Sequence, residues 1–217
     1  MSTTLFTECR GLLTPDRVWS RSEVLSDSSP VPKTPGVYVW YFRNFPPEIP
    51  TADCLRFNDL TLLYIGISPS APPRNGKAPS MQNLFRRIRG HYRGNASGST
   101  LRLSLGCLLS ATLNIELRRA GSGNRLTFAD GERRLSDWME ENAFVGWIEC
   151  DEPWRIEEGL ISTICLPLNL DQNRANRFHP VLSERRRLAK IRALDLPIWN
   201  YVAPSATMTQ SKFNVSG

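Results

Sequence analysis

The 217-residue sequence predicts an α+β domain: a three-stranded antiparallel central sheet flanked by helices. Three observations carry that reading. Pro35-Gly36-Val37-Tyr38-Val39-Trp40-Tyr41-Phe42 and Leu62-Leu63-Tyr64-Ile65-Gly66-Ile67-Ser68 are rich in β-branched and aromatic residues and are bounded by Pro, Asn or Ser, so both read as strands. Phe144 to Glu149 alternates apolar and polar and supplies the third strand. The segments around them carry apolar residues at helical spacing.

Taken in order, residues 1–34 form an N-terminal arm that ends in a Pro- and Ser-rich linker. Within it, Asp16 to Leu25 is expected to form a short helix with Val18, Trp19 and Leu25 inward. Strand one is expected over 36–43. Pro46, Pro47 and Pro50 make 44–60 an irregular insertion. Strand two is expected over 61–68, antiparallel to the first. The Pro-, Gly- and Ser-rich stretch 69–80, with Arg74 and Lys77, reads as a mobile loop beside that strand.

A helix over 81–92 follows, with Ser80 as its N-cap and Leu84, Phe85 and Ile88 on its apolar side. Arg87 and His91 are one turn apart and share a face. Gly94 to Gly98 breaks this helix. Ser99 or Thr100 caps the next, with Leu101, Leu105, Leu108 and Leu109 as its stripe. Residues 113–142 read as an inserted hairpin, turning at Gly121 to Asn124, and then a helix over 132–142. Pro153 suits the first turn of a helix over 154–165. There Glu157 flanks the stripe of Ile156, Leu160, Ile161 and Ile164, while Glu158 points about 100° further round, towards solvent. A polar run, 171–177, leads to a basic helix over 181–194, within a C-terminal extension of 171–203. The stretch 204–217 has little apolar content and is expected to be disordered.

Composition narrows the function. Apolar residues make up 41%, enough for a core without crosslinks. The net charge of +6 favours a polyanionic partner. The basic residues cluster at Arg86, Arg87, Arg89 and Arg93, and again from Arg185 to Arg192. The five cysteines are odd in number and none is in CxxC spacing, which excludes a disulfide framework and a zinc site. Reduced, mostly buried thiols in a cytoplasmic protein are expected. No apolar stretch approaches the roughly 20 residues that span a bilayer, so no membrane partner is expected.

Four pieces in order, Gly36-Val37-Tyr38, Tyr64-Ile65-Gly66, the arginine-rich helix with Arg87 and His91, and Glu157 followed by Leu160-Ile161 and Asn169, resemble the GIY-YIG nuclease domain. The resemblance covers about residues 35–170. The first tripeptide has Val where the family has Ile; the second matches without change. What it implies is a divalent-metal-dependent endonuclease that hydrolyses phosphodiester bonds in DNA. Glu157 would be the sole protein ligand of one Mg²⁺ or Mn²⁺, a hard cation that keeps several waters. Arg87 would hold the scissile phosphate through its planar fork. Tyr38 or Tyr64 would position or deprotonate the attacking water, with Tyr38 favoured and Lys77 or His91 assisting. A phenol needs nearby positive charge for that role, which Arg87, Arg89 and the cation would lend.

His91 would pass on or accept a proton, or touch phosphate. Gly36, Gly66 and Asn169 would support the site. Lys77, Arg86, Arg89 and Arg93 would contact nucleic acid. Some members of the family carry a second His where this chain has Asn95-Ala96-Ser97-Gly98. The basic helix has two readings: a second contact to the phosphate backbone, or an outer helix with Leu188 and Ile191 inward. Against the DNA endonuclease stand a non-catalytic nucleic-acid-binding module of the same fold and a nuclease acting on RNA or branched structures. A single active site cuts one strand per visit, so a dimer is a further option.

Overall fold

The computed structural model describes residues 9–73, 78 and 80–200. Arg74, Lys77 and the stretch 204–217 lie outside the described residues. The elements run α1 (Arg10–Leu13), α2 (Arg21–Leu25), β1 (Gly36–Phe42), β2 (Arg56–Phe57), β3 (Leu60–Ser68), α3 (Leu84–Arg93), α4 (Thr100–Leu108), β4 (Arg118–Ala120), β5 (Arg125–Thr127), α5 (Gly131–Asn142), β6 (Ala143–Glu149), α6 (Pro153–Ile161) and α7 (His179–Asp195).

The sheet is antiparallel in the order β2-β3-β1-β6. The expected three strands are present, and a two-residue fourth, β2, extends the β3 edge. β1 is central and buried along its whole length, as a strand covered on both faces must be. Its side chains divide by parity. Tyr38, Trp40 and Phe42 enter a cluster with residues of α3, α4 and α5; Val37, Val39 and Tyr41 enter a second with residues of α1 and α6. Tyr64, opposite Trp40 in the regular register, lies on the face of Tyr38; beyond it the register shifts, so that Leu62 pairs with Tyr41. The second sheet is the β4-β5 hairpin, turning through Gly121 and Gly123 at positive φ, as the sequence led one to expect.

Several boundaries differ from expectation. The first long helix begins at Leu84, capped by Asn83, whose side chain accepts from Arg86 N; Ser80 instead accepts from Gln82 N. Of the helix expected over Asp16 to Leu25, only Arg21–Leu25 is helical. Ser20 and Glu23 close a capping box there, and Trp19 bridges Val145 through paired backbone hydrogen bonds rather than joining the helix. The helix carrying Glu157 stops at Ile161, where the Ser162 and Thr163 hydroxyls both donate to Gly159 O.

The basic helix α7 packs on α4 and β4 with the opposite face to the one expected. Leu182 and Ala193 are fully buried, whereas Leu188 is 49% and Ile191 42% exposed. Among the described residues no helix is long and apolar enough to cross a membrane.

Candidate active site

Tyr38 lies on β1 opposite Gly66 of β3. A Cβ at position 66 would stand 2.4 Å from the Tyr38 hydroxyl and 2.5 Å from Cζ, so the glycine leaves the space that the phenol occupies. Gly36 has a similar duty at the start of β1: a Cβ there would meet Ile148 O at 2.2 Å and Leu84 Cδ1 at 2.7 Å. Without these two glycines, the ring and the first turn of α3 could not come so close to the sheet.

Among the described residues the Tyr38 oxygen has two hydrogen-bond partners. Arg87 Nε donates to it at 3.2 Å, and His91 Nε2 lies 2.7 Å away. Arg87 and His91 reach the same atom because they sit one turn apart on α3. Arg87 Nη1 also donates to Gly98 O at 3.1 Å. The loop that departs from the family pattern at 95–98 thus supplies a backbone carbonyl that orients the guanidinium.

His91 is 1% exposed and stands behind Tyr38, outside the cleft. Burial, then the charges of Arg87 and Arg102, push its pKa well below the ordinary value, so it is neutral. Its tautomer follows from its second partner. Ser99 Oγ lies 2.6 Å from Nδ1 and already accepts the Arg102 N–H at 3.0 Å. The buried hydroxyl therefore needs an acceptor for its own proton, and Nδ1 provides it. Nε2 then carries the ring proton and donates to Tyr38. With two N–H groups directed at its oxygen, Tyr38 turns its own O–H towards the cleft.

Tyr64 is on the same face, and its hydroxyl lies 3.1 Å from Thr100 Oγ1. Burial raises the pKa of both phenols. For Tyr38 the neighbouring Tyr64 adds to the rise and Arg87 opposes it; for Tyr64 the Thr100 hydroxyl and Arg87 oppose it. Arg87 in turn is held more firmly charged, chiefly by Tyr38.

These groups open onto a cleft of about 370 Å³ whose wall includes Tyr38, Tyr64, Arg87, Thr100, Glu157 and Asp171. Glu157 comes from α6, which leans on β3 and β1 through Leu160 and Ile161. As its position beside the stripe implied, Glu157 faces the cleft while Glu158 is exposed. Burial first, and then repulsion from Asp171, push the Glu157 carboxyl up to about 7, against the pull of Arg87.

Asn169 braces the site from behind. Its side-chain amide pairs with both backbone groups of Ile65, accepting from N and donating to O, each at 2.9 Å. That clamps β3 between Tyr64 and Gly66.

The donor set fits a hard cation. Glu157 and Asp171 present oxygen only, and their mutual repulsion is the kind that a bound cation relieves. Among the described residues no three His, Cys, Asp or Glu side chains converge, so water would complete the shell of any ion there.

The other expected contacts are dispersed. Arg86 and Arg93 are exposed on α3 and do not line the cleft. Arg89, expected to lend charge to the site, instead donates to Val24 O at 2.7 Å and Ser26 O at 3.4 Å and lies over the Phe85 ring; it ties down the N-terminal arm. Lys77 lies outside the described residues. Thr100, Asp171 and Arg186 line the cleft although the sequence did not single them out for it. For Asp171 the available signal was its place two residues after Asn169.

No curated protein and no solved structure matches the chain. The model of the GIY-YIG catalytic domain matches residues 36–188, from the first residue of β1 into α7. That span includes Tyr38, Tyr64, Arg87, His91, Glu157 and Asn169, and it covers well over half of the sequence: the chain belongs to the GIY-YIG family, with a nuclease-type catalytic domain.

Proposed function

We propose that this domain is a divalent-metal-dependent endonuclease that hydrolyses phosphodiester bonds in DNA. The observation that carries the reading is the Tyr38 oxygen, flanked by Arg87 Nε and His91 Nε2 and opening onto the cleft that holds Glu157. Hydrolysis needs a proton acceptor for water, positive charge for the transition state and help for the leaving oxygen.

Tyr38 supplies the acceptor. Two N–H groups stabilise its phenolate, opposing the burial that disfavours it. The phenolate takes a proton from the attacking water and returns it to solvent through the cleft. His91 acts by orienting and donating to that oxygen, without becoming charged. Arg87 keeps Nη2 free of protein partners among the described residues, so its fork can take a phosphate oxygen while Nε stays on Tyr38. Tyr64 fixes the wall beside the water. Glu157 would hold one Mg²⁺ or Mn²⁺, with Asp171 nearby. Such an ion supplies Lewis-acid stabilisation of the phosphate and of the leaving oxygen.

The test is nicking of supercoiled plasmid with Mg²⁺ or Mn²⁺, with and without EDTA, by the wild type, Glu157→Ala and Arg87→Ala. Metal-dependent nicking that both variants lose is the expected result. Nicking that survives in Glu157→Ala or in EDTA overturns the reading. Cleavage of RNA or branched DNA alone would replace the substrate and keep the chemistry.

A further inference from the structure

Helix α7 carries its charge in an unusual place. Its inward stripe is Leu182, Arg186, Ala189 and Ala193, at i, i+4, i+7 and i+11. Three of the four are apolar and packed; the fourth is an arginine. Three other large apolar residues, Leu188, Ile191 and Leu194, are exposed. An arginine takes an inward position at a cost unless something offsets its desolvation. Arg186 is half-buried on the cleft wall, and among the described residues it makes no hydrogen bond and no ion pair.

Three other arginines differ. Arg187 holds Glu184 at 2.7 Å, Arg192 holds Glu116 at 2.6 Å, and Arg102 holds Glu132 at 2.7 Å. Arg186 points into the wall of the cleft that contains Tyr38, Arg87 and Glu157. Asp171 shares that wall and is not paired with it.

We infer that Arg186 is a second phosphate-binding arginine of this site, contacting the backbone of the bound nucleic-acid strand. The inference rests on the nuclease reading in one respect: the strand must occupy the cleft. Arg87 is fixed by Tyr38 and Gly98 and so belongs to the phosphate at the reacting centre. Arg186 has no such tether and takes a phosphate oxygen from the other helix. It binds and positions the strand, and the proton transfer at Tyr38 does not need it. The basic helix thereby forms a wall of the active site rather than a separate platform, and the role passes to one residue of the run Arg185-Arg186-Arg187.

The test separates binding from cleavage. Affinity for a short DNA duplex is measured in EDTA over a range of salt concentrations, for wild type, Arg186→Gln, Arg186→Lys and Arg187→Gln. Single-turnover cleavage with Mg²⁺ is then measured at saturating protein. Arg186→Gln should bind about tenfold more weakly and lower the slope of log K against log salt by about 1, the contribution of one phosphate contact. Arg186→Lys should restore the slope, and Arg187→Gln should match wild type. At saturation the cleavage rate of Arg186→Gln should stay within about threefold of wild type, as for lost binding that is uniform along the reaction path. A wild-type slope in Arg186→Gln, or an equal loss in Arg187→Gln, overturns the inference. If wild type binds but does not cut, the nuclease reading fails while the slope still decides the role of Arg186. If wild type does not bind, both fail.

Discussion

Arg87 and Arg102 stand on consecutive helices over the same sheet face, and their surroundings are opposite. Arg102 is fully buried and every nitrogen of its guanidinium is engaged. Nε and Nη2 grip Glu132 Oε2 at 3.1 and 2.7 Å, Nη2 also donates to Glu132 O, and Nη1 meets His91 O, Tyr92 O and Ser136 Oγ. Glu132 passes the connection on, accepting from Ala96 N, Thr127 Oγ1 and Phe128 N. Arg87 is half-buried, uses two nitrogens on Tyr38 and Gly98, and leaves the third towards the cleft.

Burial alone therefore does not separate the two arginines. Donors left unused beside an open cleft do. A fully satisfied guanidinium holds the fold together. Here Arg102 fixes the helix ends that place Ser99 and His91, and so acts on the site only through structure.

Substitution should separate the two roles. Arg102→Ala leaves Glu132 without its buried counter-charge and should cost about 3–5 kcal/mol of unfolding free energy, read by denaturant titration. Activity should fall only as far as folding does. Arg87→Ala should do the reverse. Cleavage should drop about 10²–10³-fold, the usual loss for one preorganised transition-state donor, while the melting temperature scarcely moves. If the two variants lost stability equally, the contrast between the arginines would collapse.

A smaller effect sharpens the contrast from the acidic side. The Glu157 carboxyl sits at about 7 in the fold, against an ordinary value of 4.5, so the folded state binds the proton more tightly than the unfolded one. Wild-type stability without metal should consequently fall as pH rises from about 4.5 to 7. Glu157→Gln cannot ionise there. It should be more stable than wild type by about 1–2 kcal/mol at pH 8, allowing for solvent screening in the open cleft, and equal to it below about pH 4.5. Denaturant titrations at the two pH values without metal measure this. An inactive variant that is also more stable would mark Glu157 as a residue kept for function.

The sheet and the residues that gather around the candidate site were legible because their signals are local. Tyr38 and Tyr64 sit in strand-like runs, Arg87 and His91 are one turn apart, and Glu157 flanks an apolar stripe. What escaped depends on contacts distant in sequence. Arg89 looks like its arginine neighbours until Val24 O, 65 residues away, claims it. Arg102 interrupts an apolar helix, and only Glu132, 30 residues on, explains its burial. One of the two readings of α7, with Leu188 and Ile191 inward, fails because periodicity alone does not show which face α4 and β4 cover. This helix buries Leu182 and Ala193 and leaves Leu188 and Ile191 outside. His91 shares the helix face that its spacing from Arg87 implies, but its depth follows from the packing of the Tyr38, Trp40 and Tyr64 rings against it, which spacing does not encode.

The central claim is that the Tyr38 oxygen, held by His91 and Arg87, accepts the proton from water. Single-turnover cleavage of plasmid DNA in Mg²⁺ by Tyr38→Phe tests it most directly, because the ring and its packing stay and only the hydroxyl goes. The account predicts a rate lower by about 10²–10⁴-fold, the range for a lost general base, with the melting temperature close to wild type. Cleavage at the wild-type rate by a folded Tyr38→Phe protein would contradict it.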